Sequence, residues 1–131
     1  DGILAAIKQA GAFQAGEPGA ATVPEIADFG DRIDEVPGKR GLNAFVETDL
    51  HKELESGGIT HVAMAGAVTS ICIDSTARAA YEKGMRVFIL EDCTASRTDA
   101  EQSFFCDTVF PTYAEVIDSG QFISRLAECE E

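Results

Sequence analysis

A cysteine that follows an apolar segment is the residue of this chain best placed for covalent chemistry. Residues 60–66 form the apolar segment, a short turn follows, and Cys72 comes at the start of a helix-like stretch. The first N–H groups of a helix are unpaired and carry a partial positive charge, which favours a thiolate. Because the thiolate is the nucleophilic form, Cys72 is a candidate for covalent catalysis. Its other interpretation is a small apolar residue that packs a helix against a sheet.

Lys39 is the second candidate for chemistry. It follows Pro37-Gly38 and precedes Arg40-Gly41, so it lies in a loop. A loop lysine is ordinarily solvated. A partly desolvated lysine near a thiol could instead orient a substrate or transfer protons. From the residues alone, both interpretations stay open.

Strands and helices alternate along the chain and must position these two residues. The predicted strands cover residues 33–36, 60–66, 86–91 and 114–117, and the predicted helices cover 48–55, 70–83, 98–110 and 120–128. The strands are continuous apolar runs, which is typical of a parallel sheet covered on both faces. We therefore predict an α/β fold with three α/β/α layers and a mainly parallel, Rossmann-type sheet. Such sheets bind ligands beyond the carboxyl ends of their strands, which is where Cys72 lies.

Composition excludes several classes of partner. The 131 residues suit one domain, 1–131, and carry 10 basic against 23 acidic side chains, a net charge of −13. This charge disfavours nucleic acids and anionic membrane surfaces as partners. No apolar run approaches the roughly 20 residues that a membrane-spanning helix needs. The four cysteines lack CxxC spacing, so we predict neither disulfides nor zinc and place the protein in the reducing cytoplasm.

A series of motifs runs from residue 36 to residue 96. In order these are Lys39 with Phe45, then Thr48-Asp49-Leu50, Gly66-Ala67-Val68-Thr69-x-x-Cys72, Ser75-Thr76-Ala77-Arg78-x-Ala80, Gly84, and residues 87–92. In this combination the chain resembles the isochorismatase-like cysteine hydrolases. That superfamily contains nicotinamidase, N-carbamoylsarcosine amidase and ureidoacrylate amidohydrolase. The resemblance continues weakly to the end of the chain.

The resemblance implies a mechanism for the site. Cys72 would be the nucleophile that attacks an amide or ureido carbonyl, and Lys39 the second member of a catalytic triad. A cis peptide between Ala67 and Val68 would precede the nucleophile, and the N–H groups of Val68 and Cys72 would form the oxyanion hole. The expected partner is a small amide or ureide, no cofactor is expected, and the family is commonly homo-oligomeric.

Other site residues are expected by the same resemblance. Asn43, Phe45, Thr69 and Phe13 are candidates for the wall of a substrate pocket, with core packing as the alternative for the two phenylalanines. The third triad member, an aspartate at the end of a first strand, has no match here, so we expect that strand and its aspartate upstream of residue 1. Residues 1–38 contain no histidine, which favours a metal-free amidase over a nicotinamidase.

Two other functions remain possible at this point. One is isochorismate-type vinyl-ether hydrolysis, although members with that activity need not have the cysteine, so Cys72 counts against it. The other is a catalytically inactive binding or scaffold protein on the same fold, which the unmatched aspartate motivates. The residues that precede Asp1 would separate the enzyme from the scaffold.

Overall fold

Three parallel strands form the sheet that positions the candidate site. They are β1 (His61–Ala67), β2 (Arg86–Ala95) and β3 (Glu115–Ile117), in the order β1-β2-β3. The computed structural model describes residues 2–129. The chain divides into two compact units, Asp1–Val36 and Pro37–Glu131, and the sheet belongs to the second. One domain over residues 1–131 stays a prediction.

An irregularity in the sheet lies next to the candidate site. Val62 pairs with Val87 and Met64 with Ile89, but Gly66 pairs with Thr94, so β2 carries extra residues between the two registers. Bulges of this kind bend a strand and redirect its side chains. The carboxyl end of β1 therefore lies beside Thr94.

Helices and short helical turns connect the strands. The helices are α1 (Ile3–Gln9), α2 (Pro24–Ala27), α3 (Leu50–Ser56), α4 (Asp74–Glu82), α5 (Asp99–Phe104) and α6 (Ser119–Cys129). Two π-helical turns, Thr69–Ile73 and Phe105–Val109, lead into α4 and out of α5. Three 3₁₀ turns cover Pro18–Ala20, Gly30–Arg32 and Phe110–Thr112.

The core lies between α4 and one face of the sheet. Ala77 and Ala80 of α4 are completely buried, as is Ile89 of β2, and all three belong to one apolar cluster with Phe110. Successive side chains of a strand point to opposite faces, so Phe88 faces the other way. Its ring packs against Phe122 of α6, with centroids 6.0 Å apart. Helices thus cover both faces, which gives the α/β class that the apolar strand pattern predicted.

Two sequence predictions for local structure were wrong. Residues 33–36 form no strand, because no neighbouring strand pairs with them in the structure. The strand predicted as buried, β1, alternates between exposed and half-buried side chains over its first part and is exposed at its end. It lies at the edge of the described sheet and pairs only with β2. An apolar run therefore predicted the strand but not its burial.

The first unit is built differently from the second. It contains α1 and α2, and none of the described residues 2–36 is buried. The Thr22 hydroxyl donates a hydrogen bond to the carboxylate of Glu35. Across residues 2–129, no helix combines the length and the hydropathy that crossing a membrane requires.

Candidate active site

Cys72 lies in the π-helical turn between β1 and α4. The turn follows Val68, whose carbonyl oxygen accepts hydrogen bonds from the N–H groups of Ile71 (3.0 Å) and Ile73 (3.3 Å). The sequence predicted a regular helix from residue 70, but α4 begins only at Asp74. Cys72 is half-buried and is not in a disulfide. Its sulfur therefore lies beside the start of α4, on a turn that hydrogen bonds hold closed.

Lys39 reaches this sulfur from a separate loop. Its Nζ lies 3.9 Å from Sγ of Cys72 and donates a 2.7 Å hydrogen bond to the carbonyl oxygen of Gly41. Gly38, just before it, has φ +96°, a conformation that side chains other than glycine rarely adopt. The backbone thus turns sharply at Gly38 and directs the lysine toward Cys72.

A cavity of about 400 Å³ opens between these two side chains. Its walls are mostly apolar: Phe45, Leu50, Leu54, Val62, Met64 and Ile73 line it together with small residues of β1. Within the described part of the chain, Lys39 is the one charged residue that lines it. Small and largely neutral molecules suit a cavity of this size and polarity.

The end of β1 has an unusual backbone. The peptide bond between Ala67 and Val68 is cis, and Gly66 just before it has φ +124°. A Cβ added at Gly66 would lie 3.6 Å from Cδ1 of Ile73, an ordinary contact, so the positive φ rather than space favours glycine there. The oxyanion hole expected from the N–H groups of Val68 and Cys72 stays a prediction.

The predicted pocket residues have different positions. Phe45 lines the cavity. The side chain of Asn43 instead accepts a hydrogen bond from the N–H of Phe45 (2.9 Å) and shapes the loop. Thr69 is completely buried, and its hydroxyl points to Gln102, so it is not a wall of the cavity. Phe13 belongs to the first unit, where it is 73% exposed, and its role in a pocket stays a prediction.

Thr76 is a site residue that the sequence analysis missed. Its Oγ1 accepts a 3.0 Å hydrogen bond from the N–H of Ala44, and the side chain also lines the cavity. This bond attaches the Lys39 loop to α4, one turn beyond Cys72. The sequence could have identified Thr76 by its i, i+4 spacing from Cys72, which places the two residues on one face of the predicted helix.

Glu101 and Gln102 of α5 were missed as well. The Thr69 hydroxyl donates to Oε1 of Gln102 (2.7 Å), and the Ser70 hydroxyl donates to Glu101. Arg97 also pairs with Glu101, at 2.6 Å. These contacts join residues more than thirty positions apart, so no local sequence pattern predicts them.

Hydrogen bonding changes the acidity of Glu101 strongly. The Arg97 guanidinium, and after it the Ser70 hydroxyl, lower the pKa of Glu101 to about 2. Glu101 is therefore ionised at neutral pH and acts as an acceptor only. Burial raises the pKa of the Cys106 thiol, which keeps that second cysteine in its unreactive form.

Metal-ligating side chains do not cluster in the described part of the chain. Among residues 2–129, no three or more His, Cys, Asp or Glu side chains cluster closely enough to share an ion. A metal-free and cofactor-free site stays a prediction.

Comparison with known proteins assigns the chain to a family. Residues 1–121 match the family described as the isochorismatase domain. The chain therefore belongs to the isochorismatase family, as its motifs predicted.

Individual relatives include hydrolases. The chain is 41% identical over 63 residues to Nicotinamidase 3 of Arabidopsis thaliana, a match covering 48% of this chain and 32% of that protein. An isochorismatase-like hydrolase from Alkaliphilus metalliredigens superposes with a TM-score of 0.74 at 29% identity, over 85% of this chain and 60% of that one. N-carbamoylsarcosine amidase from Thermoplasma acidophilum gives 0.69 at 26% identity, over 86% and 64%. The chain thus spans less than two thirds of the length of each of these relatives.

Proposed function

We propose that this chain carries the nucleophile of a cysteine hydrolase that cleaves a C–N bond of a small amide or ureide. The observation that carries the proposal is the 3.9 Å approach of the Lys39 ammonium to the Cys72 sulfur at the edge of an apolar cavity. An ammonium at this distance can orient a substrate carbonyl and assist proton transfer at the sulfur. The nicotinamidase and amidase among the relatives support the same reaction class.

The proposed reaction has two steps, acylation of Cys72 and hydrolysis of the resulting thioester. The Cys72 thiolate attacks the carbonyl carbon, and the carbonyl electron pair moves to oxygen. When this pair returns, the C–N bond breaks, and the amine leaves with the proton that the thiol gave up. Water then adds to the thioester, the C–S bond breaks, and the carboxylic or carbamic acid leaves while the thiol is restored.

The residues of the candidate site have distinct roles in these steps. Lys39 orients the substrate carbonyl and assists proton transfer, and the N–H groups of Val68 and Cys72 stabilise the oxyanion. By the family resemblance, the thiol proton passes to an aspartate, for which the sequence analysis found no match in this chain. The apolar cavity accepts the acyl group, and a neutral substrate suits its lining of one cation and many aliphatic side chains.

Covalent capture tests the proposal directly. The full-length protein is incubated with a panel of primary amides and ureides, and intact-mass spectrometry is used to detect an acyl adduct that peptide mapping assigns to Cys72. We expect the adduct with at least one panel member, and loss of adduct and turnover in Cys72→Ser. Cys93→Ser, at an exposed cysteine, is the matched control and should keep both.

The alternatives predict different results. Hydrolysis of isochorismate that survives in Cys72→Ser, with no amide turned over, would establish vinyl-ether hydrolysis instead. Binding of panel members without any turnover would favour a scaffold protein. Near-normal amide turnover in Cys72→Ser would exclude the cysteine mechanism.

Assembly and location complete the proposal. We expect a homo-oligomer, by the family resemblance alone, and a cytoplasmic location, because the cysteines lack the spacing of a disulfide framework. Light scattering coupled to size-exclusion chromatography measures the assembly, and a monomer at micromolar concentration would contradict that part.

A further inference from the structure

The side-chain amide of Gln102 joins two elements at the candidate site. Its Oε1 accepts the 2.7 Å hydrogen bond from the Thr69 hydroxyl. Its Nε2 donates to Oγ1 of Thr94 at 3.0 Å and to the carbonyl oxygen of Glu91 at 3.3 Å. Gln102 thus connects the turn that carries Cys72 to the carboxyl-terminal part of β2.

The burial of Thr69 makes this connection specific. Thr69 has no exposed surface, so its hydroxyl cannot exchange Gln102 for bulk water. A buried hydroxyl needs a partner, and this contact supplies one. The neighbouring Ser70–Glu101 hydrogen bond runs in parallel, so two successive residues of the turn are held by two successive residues of α5.

The position of the turn affects the sulfur directly. Thr69 and Cys72 belong to the same five-residue π-helical turn. The Cys72 sulfur and the Lys39 ammonium lie 3.9 Å apart, and the attraction between a cation and a thiolate weakens as their separation grows. A turn released from Gln102 would therefore hold the sulfur less closely to the cation.

We propose that Gln102 is a positioning residue for the nucleophile, which acts by holding the Thr69 hydroxyl and thereby keeps the Cys72 sulfur beside the Lys39 ammonium. The inference rests on the proposed function, in which Cys72 is the nucleophile. Gln102 also donates to the Cys106 sulfur at 3.5 Å, but it bonds neither the Cys72 sulfur nor the Lys39 ammonium, so its effect on them passes through the turn.

A pair of alkylating reagents measures this effect without any substrate. Iodoacetate is anionic and is attracted by a nearby ammonium, whereas iodoacetamide is neutral and of similar size. The readout is the ratio of the two alkylation rates at Cys72, from peptide mapping at pH 7, divided by the same ratio at exposed Cys93. This division removes the effect of the net charge of the whole protein.

Three variants define the expected result. Thr69→Val keeps the shape but removes the hydroxyl, and Gln102→Met removes the amide. We expect each to lower the normalised ratio at Cys72 by roughly threefold, because the sulfur moves away from the cation. The double variant should lower the normalised ratio no further than either single variant does, because both substitutions remove the same hydrogen bond.

The controls separate positioning from stability. Thr69→Ser keeps the hydroxyl and should keep the wild-type ratio, as should Gln9→Met at an exposed position of α1. All ratios are measured below the melting temperature of the least stable variant, which circular dichroism determines. An unchanged ratio in Thr69→Val and Gln102→Met, or an equal loss in Thr69→Ser, would overturn the inference. A lowered ratio in a protein that turns over no amide would retain Gln102 as a positioning residue and reject the hydrolase.

Discussion

At the residue scale, the proposed chemistry depends on one cation beside one sulfur. The Lys39 ammonium donates a 2.7 Å hydrogen bond to the carbonyl oxygen of Gly41, which gives it a defined position in the loop. A charged hydrogen bond of this kind is stronger than a neutral one. The remaining donors of the ammonium are therefore available to Cys72 and to a substrate oxygen.

Replacement of Lys39 tests this arrangement. We expect Lys39→Met to lower kcat/KM for the best amide by about 10²-fold or more, because substrate orientation and proton transfer both lose the ammonium. The measurement is steady-state kinetics on the full-length protein. Lys52→Met, at an exposed position of α3, is the matched control and should change little. Equal activity of the two variants would contradict the role of Lys39.

At the scale of elements, two hydrogen bonds hold the segments of the site to neighbouring helices. Thr76 of α4 holds the loop of Lys39, and Gln102 of α5 holds the turn of Cys72. The two candidate side chains, Cys72 and Lys39, thus lie on separate segments, each attached to a helix. Such segments can be placed accurately only when supporting side chains restrain them.

Removal of the Thr76 hydroxyl tests the first of these contacts. Thr76→Val preserves the shape but leaves the N–H of Ala44 without its partner, at a side chain that is only 8% exposed. We expect a loss of about 1–2 kcal/mol in the free energy of unfolding, measured by urea denaturation. Thr76→Ser retains the acceptor and should lose clearly less. A Thr76→Val protein as stable as wild type would show that the hydrogen bond does not stabilise the loop.

At the scale of the whole molecule, ionised carboxylates connect distant elements. Two further carboxylates have a lowered pKa, as Glu101 does. The Ser119 hydroxyl and N–H lower the pKa of Asp92. The Arg125 and Arg86 guanidinium groups lower the pKa of Glu115. These contacts join β2 to the start of α6, and β3 to both β2 and α6. A carboxylate with a lowered pKa stabilises the folded state above its ordinary pKa and loses this effect as pH falls.

Acid titration tests this dependence at Glu101. Its pKa falls from 4.5 to about 2, so its contribution is complete at neutral pH and is lost as pH decreases from 4.5 toward 2. We expect Glu101→Gln to melt at a lower temperature than wild type at pH 7, with the difference shrinking below pH 4.5. Circular dichroism melts across this range measure it, with Glu55→Gln as the matched charge control. A difference that stays constant down to pH 2 would contradict the expectation.

Much of the fold was predictable because its signals are local. The apolar runs predicted β1, β2 and β3 to within a few residues, apart from the extension of β2 to Ala95. The capping box predicted α5, where the Thr98 side chain accepts from the N–H of Glu101. Local patterns failed where a partner decides the outcome. Residues 33–36 have strand-like residues but no neighbouring strand, and β1 is apolar yet pairs on one side only.

The sequence by itself determined the family, the order of strands and helices, and the candidates Cys72 and Lys39, because residue types and short spacings carry that information. Only the tertiary structure decided that these two side chains, 33 positions apart, lie 3.9 Å from each other. It also turned Thr69 from a predicted pocket wall into a buried partner of Gln102, again 33 positions away. Distances between such positions depend on how the whole chain packs, and a buried hydroxyl takes whichever acceptor that packing brings to it.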